Sequence, residues 1–144
     1  IMISGGPGKY RGGLGIERVV QARTDMVINT QIDRVHCKPW GLDGGGDAMG
    51  NSVALRLEGE WKEDFPNAKV LTAQLEKGEA FRLRSGGGGG FGSAAERDAE
   101  IVAWDVKQGY ISIAQAKEAY GVVVDPESFV LDAIATERLR QRAR

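Results

Sequence analysis

Cysteine and histidine are almost missing from this chain: Cys37 and His36 are the single examples of each in 144 residues. One cysteine excludes an internal disulfide framework and suits a reducing cytoplasm. With one histidine as well, no zinc site built by this chain alone is expected. No apolar run approaches the ~18 residues of a membrane span, and the opening residues lack the apolar core of a signal peptide. Charge of one sign is missing too: 19 Lys and Arg stand against 20 Asp and Glu, which speaks against a general nucleic-acid binder. The hydrophobic and charged fractions, 42% and 27%, lie near globular averages of about 45–50% and 25%. Chain-wide disorder is therefore not expected, and the length fits one domain of ~100–150 residues.

Glycine is what the chain has in excess. Nineteen of its 21 glycines fall within residues 1–92, so the sequence divides into a glycine-punctuated front and a glycine-poor back. Three clusters stand out: Gly5-Gly6-Pro7-Gly8 with Gly12, Gly13 and Gly15; Gly44-Gly45-Gly46; and Gly86 to Gly90 with Gly92. Glycine reaches positive φ and admits close backbone approach, at roughly 0.5–1 kcal/mol of entropic cost relative to alanine. Two readings follow for the five-glycine run. Its bare N–H groups line a cleft or hold a partner's anionic group, or it is a flexible linker. Nucleotide templates fail: Gly8-Lys9 is followed by Tyr10 rather than Ser or Thr. The Gly6-Pro7-Gly8 stretch reaches Gly12 one residue too late for a dinucleotide fingerprint.

Between the clusters the sequence alternates. From Ile16 to Ile32 the even positions carry Ile16, Arg18, Val20, Ala22, Thr24, Met26, Ile28, Thr30 and Ile32 against mostly polar odd positions, with Thr24-Asp25 as a break. This is one bent strand or two shorter ones. Val53, Leu55 and Leu57 stand against Arg56 and Glu58, and Phe81 and Leu83 against Arg82 and Arg84 after a turn at Lys77-Gly78. Residues 68–75 fit a strand or one short helical face. The fold class expected is α+β: a glycine-rich antiparallel β region over 1–92, followed by a helical region over 93–144 packed on it.

The back half carries helix caps. Ser93-Ala94-Ala95-Glu96 forms a capping box and predicts a helix of about four turns ending at Gly109. Its inward stripe would be Ala95, Val102 and Val106. Ser112 to Gln115 repeats the device for a short helix ending at Gly121. After a β-like Val122-Val123-Val124, Asp125-Pro126 predicts the start of a last helix, with Val130, Ala133, Ile134 and Leu139 turned inward. Arg138, Arg140, Arg142 and Arg144 spread around that helix. They complement its C-terminal dipole or dock on an acidic partner.

Residues capable of chemistry are few. His36-Cys37 reads as a surface turn rather than a dyad, because nucleophilic catalysis needs partners converging in space. Arg11, Arg84 and Arg97 flank or follow glycine clusters and suit bidentate anion binding or ordinary ion pairs. Trp40, between Pro39 and Gly41, is expected to be buried under a glycine loop, with a stacking platform as the lesser reading. No residue is taken as catalytic. The loop, cleft or interface candidates are Arg11, Gly12, Gly13, Trp40, Gly44, Gly45, Gly46, Arg84, Gly87, Gly88 and Gly89.

Taken in order, these landmarks resemble the C-terminal part of the hydantoinase B/oxoprolinase family, which includes acetone carboxylase large subunits. The matching pieces are Gly5 to Gly15, then Pro39-Trp40-Gly41-Leu42 with Gly44-Gly45-Gly46, and Leu75-Glu76-Lys77-Gly78-Glu79. They continue through the glycine run closing in Phe91-Gly92, then Glu96-Arg97-Asp98, Asp105-Val106, Gly109-Tyr110 with Ser112, and Tyr120-Gly121-Val122. Two departures are Asp47-Ala48-Met49-Gly50, where the family has Pro-Gly, and Gly78-Glu79, where it has Gly-Asp.

The resemblance implies several hundred preceding residues with the metal-binding and substrate region. This chain is thus expected to be a separately encoded small subunit, or a C-terminal piece, that completes a larger partner. The nearest context is a split, acetophenone-type ATP-dependent ketone carboxylase. There, larger hydantoinase A-like and hydantoinase B-like subunits are the partners. ATP and a divalent metal would be bound elsewhere in the complex, with neither held by this chain alone, and bicarbonate would be used through an activated carbonyl phosphate. An ATP-dependent hydantoinase or 5-oxoprolinase-type hydrolase is the alternative within the family, and a freestanding β-rich anion-binding module the alternative outside it. The expected location is cytoplasmic, with no nucleic acid or membrane as partner.

Overall fold

The computed structural model describes residues 4–142. Six strands form two antiparallel sheets. The alternating stretch after Ile16 does divide at Thr24-Asp25, giving β1 (Glu17–Gln21) and β2 (Met26–Gln31). Next come β3 (Ser52–Leu57), β4 (Glu60–Lys62), β5 (Lys69–Leu75) and β6 (Ala80–Arg84). The first sheet has the order β1-β6-β3-β4, and the second pairs β2 with β5. Residues 68–75 thus resolve as strand. A two-stranded ribbon is marginal alone, and here Ile28, Val70 and Leu75 of the ribbon share one apolar cluster with Val53 and Leu55 of β3. That shared cluster explains the period of two in β2, where Ile28 and Thr30 are buried between exposed neighbours, while β3 buries Val53, Ala54 and Leu55 in succession.

The ribbon is bulged. Its register shifts between Ile28 and Thr30, and Asn29 Oδ1 accepts the Thr72 N–H at 2.8 Å. Thr72 takes φ +52° there, a costly angle for a β-branched residue that the Asn29 bond helps hold.

The helices form a second, separate core from Val102, Ala103, Val106, Ile111, Ala116, Tyr120, Val122 and Val124. They are α1 (Ala99–Lys107), α2 (Ile113–Tyr120) and α3 (Ala133–Arg142). The middle helix follows its sequence signals: Ser112 accepts from the Gln115 N–H at 3.0 Å, and Gly121 closes it at φ +63°.

The flanking helices depart from expectation. Ser93 makes no side-chain cap bond, and its box yields only a 3-10 turn over Ala94–Glu96. Arg97 is then extended, and Asp98 caps α1 by accepting from Glu100 and Ile101. The helix is therefore shorter than four turns, and Ala95 is exposed rather than inward. Asp125 caps only a local turn, accepting from the amides of Glu127 and Ser128 and the Ser128 hydroxyl. Asp132 caps α3 instead, accepting from Ala135 at 2.9 Å. The inward face of α3 runs through Thr136, while Val130, Ala133 and Ile134 are exposed. Of the four tail arginines, Arg144 lies outside the described residues.

Candidate functional site

The glycine clusters are neither a linker nor a cleft of free amides. Three extended segments, from residues 4–13, 41–49 and 86–92, lie against one another and hydrogen-bond backbone to backbone. Gly6 N–H donates to Gly88 O at 2.9 Å, Gly12 N–H to Gly6 O at 2.9 Å, and Gly46 N–H to Pro7 O at 2.7 Å. Gly88 N–H donates to Gly13 O and Gly90 N–H to Gly46 O, both at 2.9 Å, and Leu42 and Gly90 are joined in the same way. Buried backbone polar groups must be paired, and this layer pairs them without regular strands. Within the five-glycine run none of the φ angles is positive; glycine is needed at Gly86, Gly87, Gly89 and Gly90 because the segments approach too closely there for a side chain. A Cβ on Gly12 would sit 1.8 Å from Gly88 O, one on Gly45 2.2 Å from Gly90 O, and one on Gly89 1.9 Å from Trp40 O. Gly87 would meet Gly13 O at 2.3 Å and Gly46 the Pro7 ring at 2.7 Å, while Gly44 turns at φ +85°.

A charged node ties this layer to the helical core. Asp105 projects from α1 at a position 1% exposed and accepts on one oxygen from two arginines, Arg97 at 2.8 Å and Arg11 Nε at 3.4 Å. Arg11 also donates to Gly12 O at 2.9 Å and stacks 5.1 Å over the Tyr110 ring. Arg97 reaches the Lys9 carbonyl at 2.9 Å. From α3, Arg140 donates to the Arg97 and Tyr120 carbonyls at 2.9 and 3.1 Å. One tail arginine thus caps α2, a neighbouring helix, where its cation meets the negative dipole end. Nearby, Glu96 at 3.1 Å from the Lys9 amine holds that amine above its usual range. Tyr120 is fully buried, and burial pushes its hydroxyl upward; the hydroxyl makes no hydrogen bond among the described residues.

The other candidates lie apart from the node. Arg84, on β6, pairs with Glu17 at 2.6 Å and depresses its carboxyl. Trp40 is 61% exposed with Arg34 5.1 Å over its ring, so the expectation of burial fails: its carbonyl packs against the glycine layer while its indole faces out. His36 bonds Asn67 at 3.2 Å and Cys37 is exposed. Among the described residues no three His, Cys, Asp or Glu side chains gather into a metal-holding group. No described helix is long and apolar enough to cross a membrane.

Sequence reasoning brought Arg11 and the glycines together but missed Asp105 as a charged centre. The signal was present: an acid sits among the buried positions Val102, Ala103 and Val106 of α1, where a carboxylate needs a cationic partner. The layer's rim is apolar, with Tyr10, Leu42 and Phe91 all exposed and bridged to one another through Phe91.

Known proteins share this sequence pattern and this α+β fold. The sequence profile of hydantoinase B/oxoprolinase matches residues 3–94, and the chain belongs to that family. An uncharacterized protein of Methanocaldococcus jannaschii is 37% identical over 140 residues, covering 95% of this chain and 24% of its own length. The crystal structure of an ATP-dependent caprolactamase from Pseudomonas jessenii superposes with TM-score 0.83 at 25% identity, over 98% of this chain and 25% of that one. A nucleotide-free structure of an acetone carboxylase, which carboxylates acetone in an ATP-dependent reaction, superposes with TM-score 0.78 at 25% identity, over 99% of this chain and 24% of that one. This chain therefore spans about a quarter of the length of the relatives it matches.

Proposed function

We propose that the chain is the site-completing small subunit of an ATP-dependent ketone carboxylase of the acetophenone type, structural in role rather than catalytic by itself. One observation carries the reading: nearly the whole chain superposes on a quarter of an acetone carboxylase chain. Two features of the molecule support it. The buried charge centre, Arg11–Asp105–Arg97, is consumed in joining two halves of the fold. Large apolar side chains remain exposed along one rim at Tyr10, Leu42 and Phe91, as expected of a surface covered in an assembly. In this reading larger hydantoinase A-like and hydantoinase B-like subunits are the partners, and ATP and a divalent metal are bound there. ATP-dependent hydrolysis of a cyclic amide is the second reading, favoured by the higher TM-score with the caprolactamase. Co-expression with those subunits and assay of the purified complex separates the cases. Bicarbonate-dependent ATP turnover supports carboxylation, and ATP turnover driven by a lactam without bicarbonate supports hydrolysis. Recovery of the chain only as a free monomer contradicts both.

A further inference from the structure

Nineteen of the 21 glycines have a reason inside the chain: either φ is positive, or a Cβ would meet another atom closer than 3.0 Å. Gly13 and Gly88 have neither. A Cβ on Gly13 would meet nothing within 4 Å, and one on Gly88 would lie at ordinary contact, 3.5 Å from Gly13 N. The two are neighbours, joined by the Gly88 N–H to Gly13 O bond, and both are exposed. The Gly13 N–H donates to no described residue. Glycine without local need is entropically unfavourable, so the requirement comes from outside.

We propose that Gly13 and Gly88 form the open face of the glycine layer, and that an extended glycine-rich segment of the larger hydantoinase B-like polypeptide lies across it, backbone against backbone. This rests on the reading that such a polypeptide is the partner. Continuity favours this occupant: the other glycines of the run, Gly86, Gly87, Gly89 and Gly90, are each opposed by another segment's backbone. The matched structures supply a source, because their chains are about four times as long as this unit. One free amide does not make the converging set of donors an anion requires.

The test uses the complex co-purified with the larger subunit. Gly13→Val and Gly88→Val are expected to keep wild-type hydrogen-exchange protection of β3 and β6 yet to lower association at least tenfold. Gly13→Ala, the smaller step, serves should valine disturb the layer, and is expected to weaken association measurably. Hydrogen exchange on the larger subunit is expected to show a glycine-rich segment protected by the wild-type chain and released by the variants. Association at wild-type affinity by every variant overturns the proposal and leaves the functional reading standing. Protection mapped to a helix, or to a second copy of this chain, also overturns it. Absence of any complex removes the functional reading and the proposal together.

Discussion

The two halves of this molecule are held by different physics. The helical half has an ordinary core in which Val102, Ala116, Tyr120 and Val122 are wholly covered, each large side chain worth about 1.5–3 kcal/mol of burial. The glycine layer has almost no side chains to bury. It holds through backbone hydrogen bonds worth about 1 kcal/mol each and through distances that tolerate no Cβ. Side-chain cores absorb a changed methyl by local adjustment; a backbone layer has nothing to adjust. The difference teaches that runs of glycine need not mean flexibility, and it makes the two halves separately breakable.

The largest break is Gly12→Ala. Its new methyl would lie 1.8 Å from Gly88 O, so the layer must part. We expect a loss of about 4 kcal/mol or more, at the extreme of single substitutions, read as a collapsed denaturant midpoint. Next is Asp105→Asn, which leaves Arg11 and Arg97 facing each other without their shared anion. A loss of about 3 kcal/mol is expected, with the helical core surviving as a separate transition if the two halves are independent. Tyr120→Phe sharpens the other side of the comparison. Its hydroxyl makes no hydrogen bond among the described residues, so stability at neutral pH should be unchanged or higher by up to about 1 kcal/mol. Because burial raises the Tyr120 hydroxyl above the ordinary phenol value of 10.0, the folded state prefers the neutral form. Stability is therefore fully present below that value and declines as pH rises toward the folded-state value. The alkaline limb of a pH–melting curve should flatten in Tyr120→Phe. Smallest is Gly13→Ala, with no neighbour within 4 Å. Thermal melting of the chain should move by no more than the equivalent of about 0.5 kcal/mol.

Much of the strand region was legible because alternation is local: Val53, Leu55, Phe81 and Leu83 each report the same shared cluster. Likewise Ser112 and Gly121 act within a few residues of themselves. The failures were all long-range. Ser93-Ala94-Ala95-Glu96 has the residues of a capping box, yet Arg97 is drawn out of the helix to reach Asp105 and the Lys9 carbonyl. Asp125 and Asp132 are equally good caps in sequence, and the Val124–Leu131 bridge between them decides for the second. Trp40 was misplaced because bulk alone suggested burial, whereas its neighbour Gly89 accommodates the carbonyl and not the ring. Composition announced the glycine clusters, but a contact between residues 12 and 88 leaves no periodicity to read.

Site-resolved hydrogen exchange is the most direct probe of the glycine layer. If the three segments are a fixed scaffold, the amides of Gly6, Gly12, Gly46, Gly88 and Gly90, all donors to carbonyls of the layer, exchange as slowly as those of β3 and β6, and Gly13 exchanges fast. Exchange of all six at the rate of unstructured chain would mean the glycines are a tether after all.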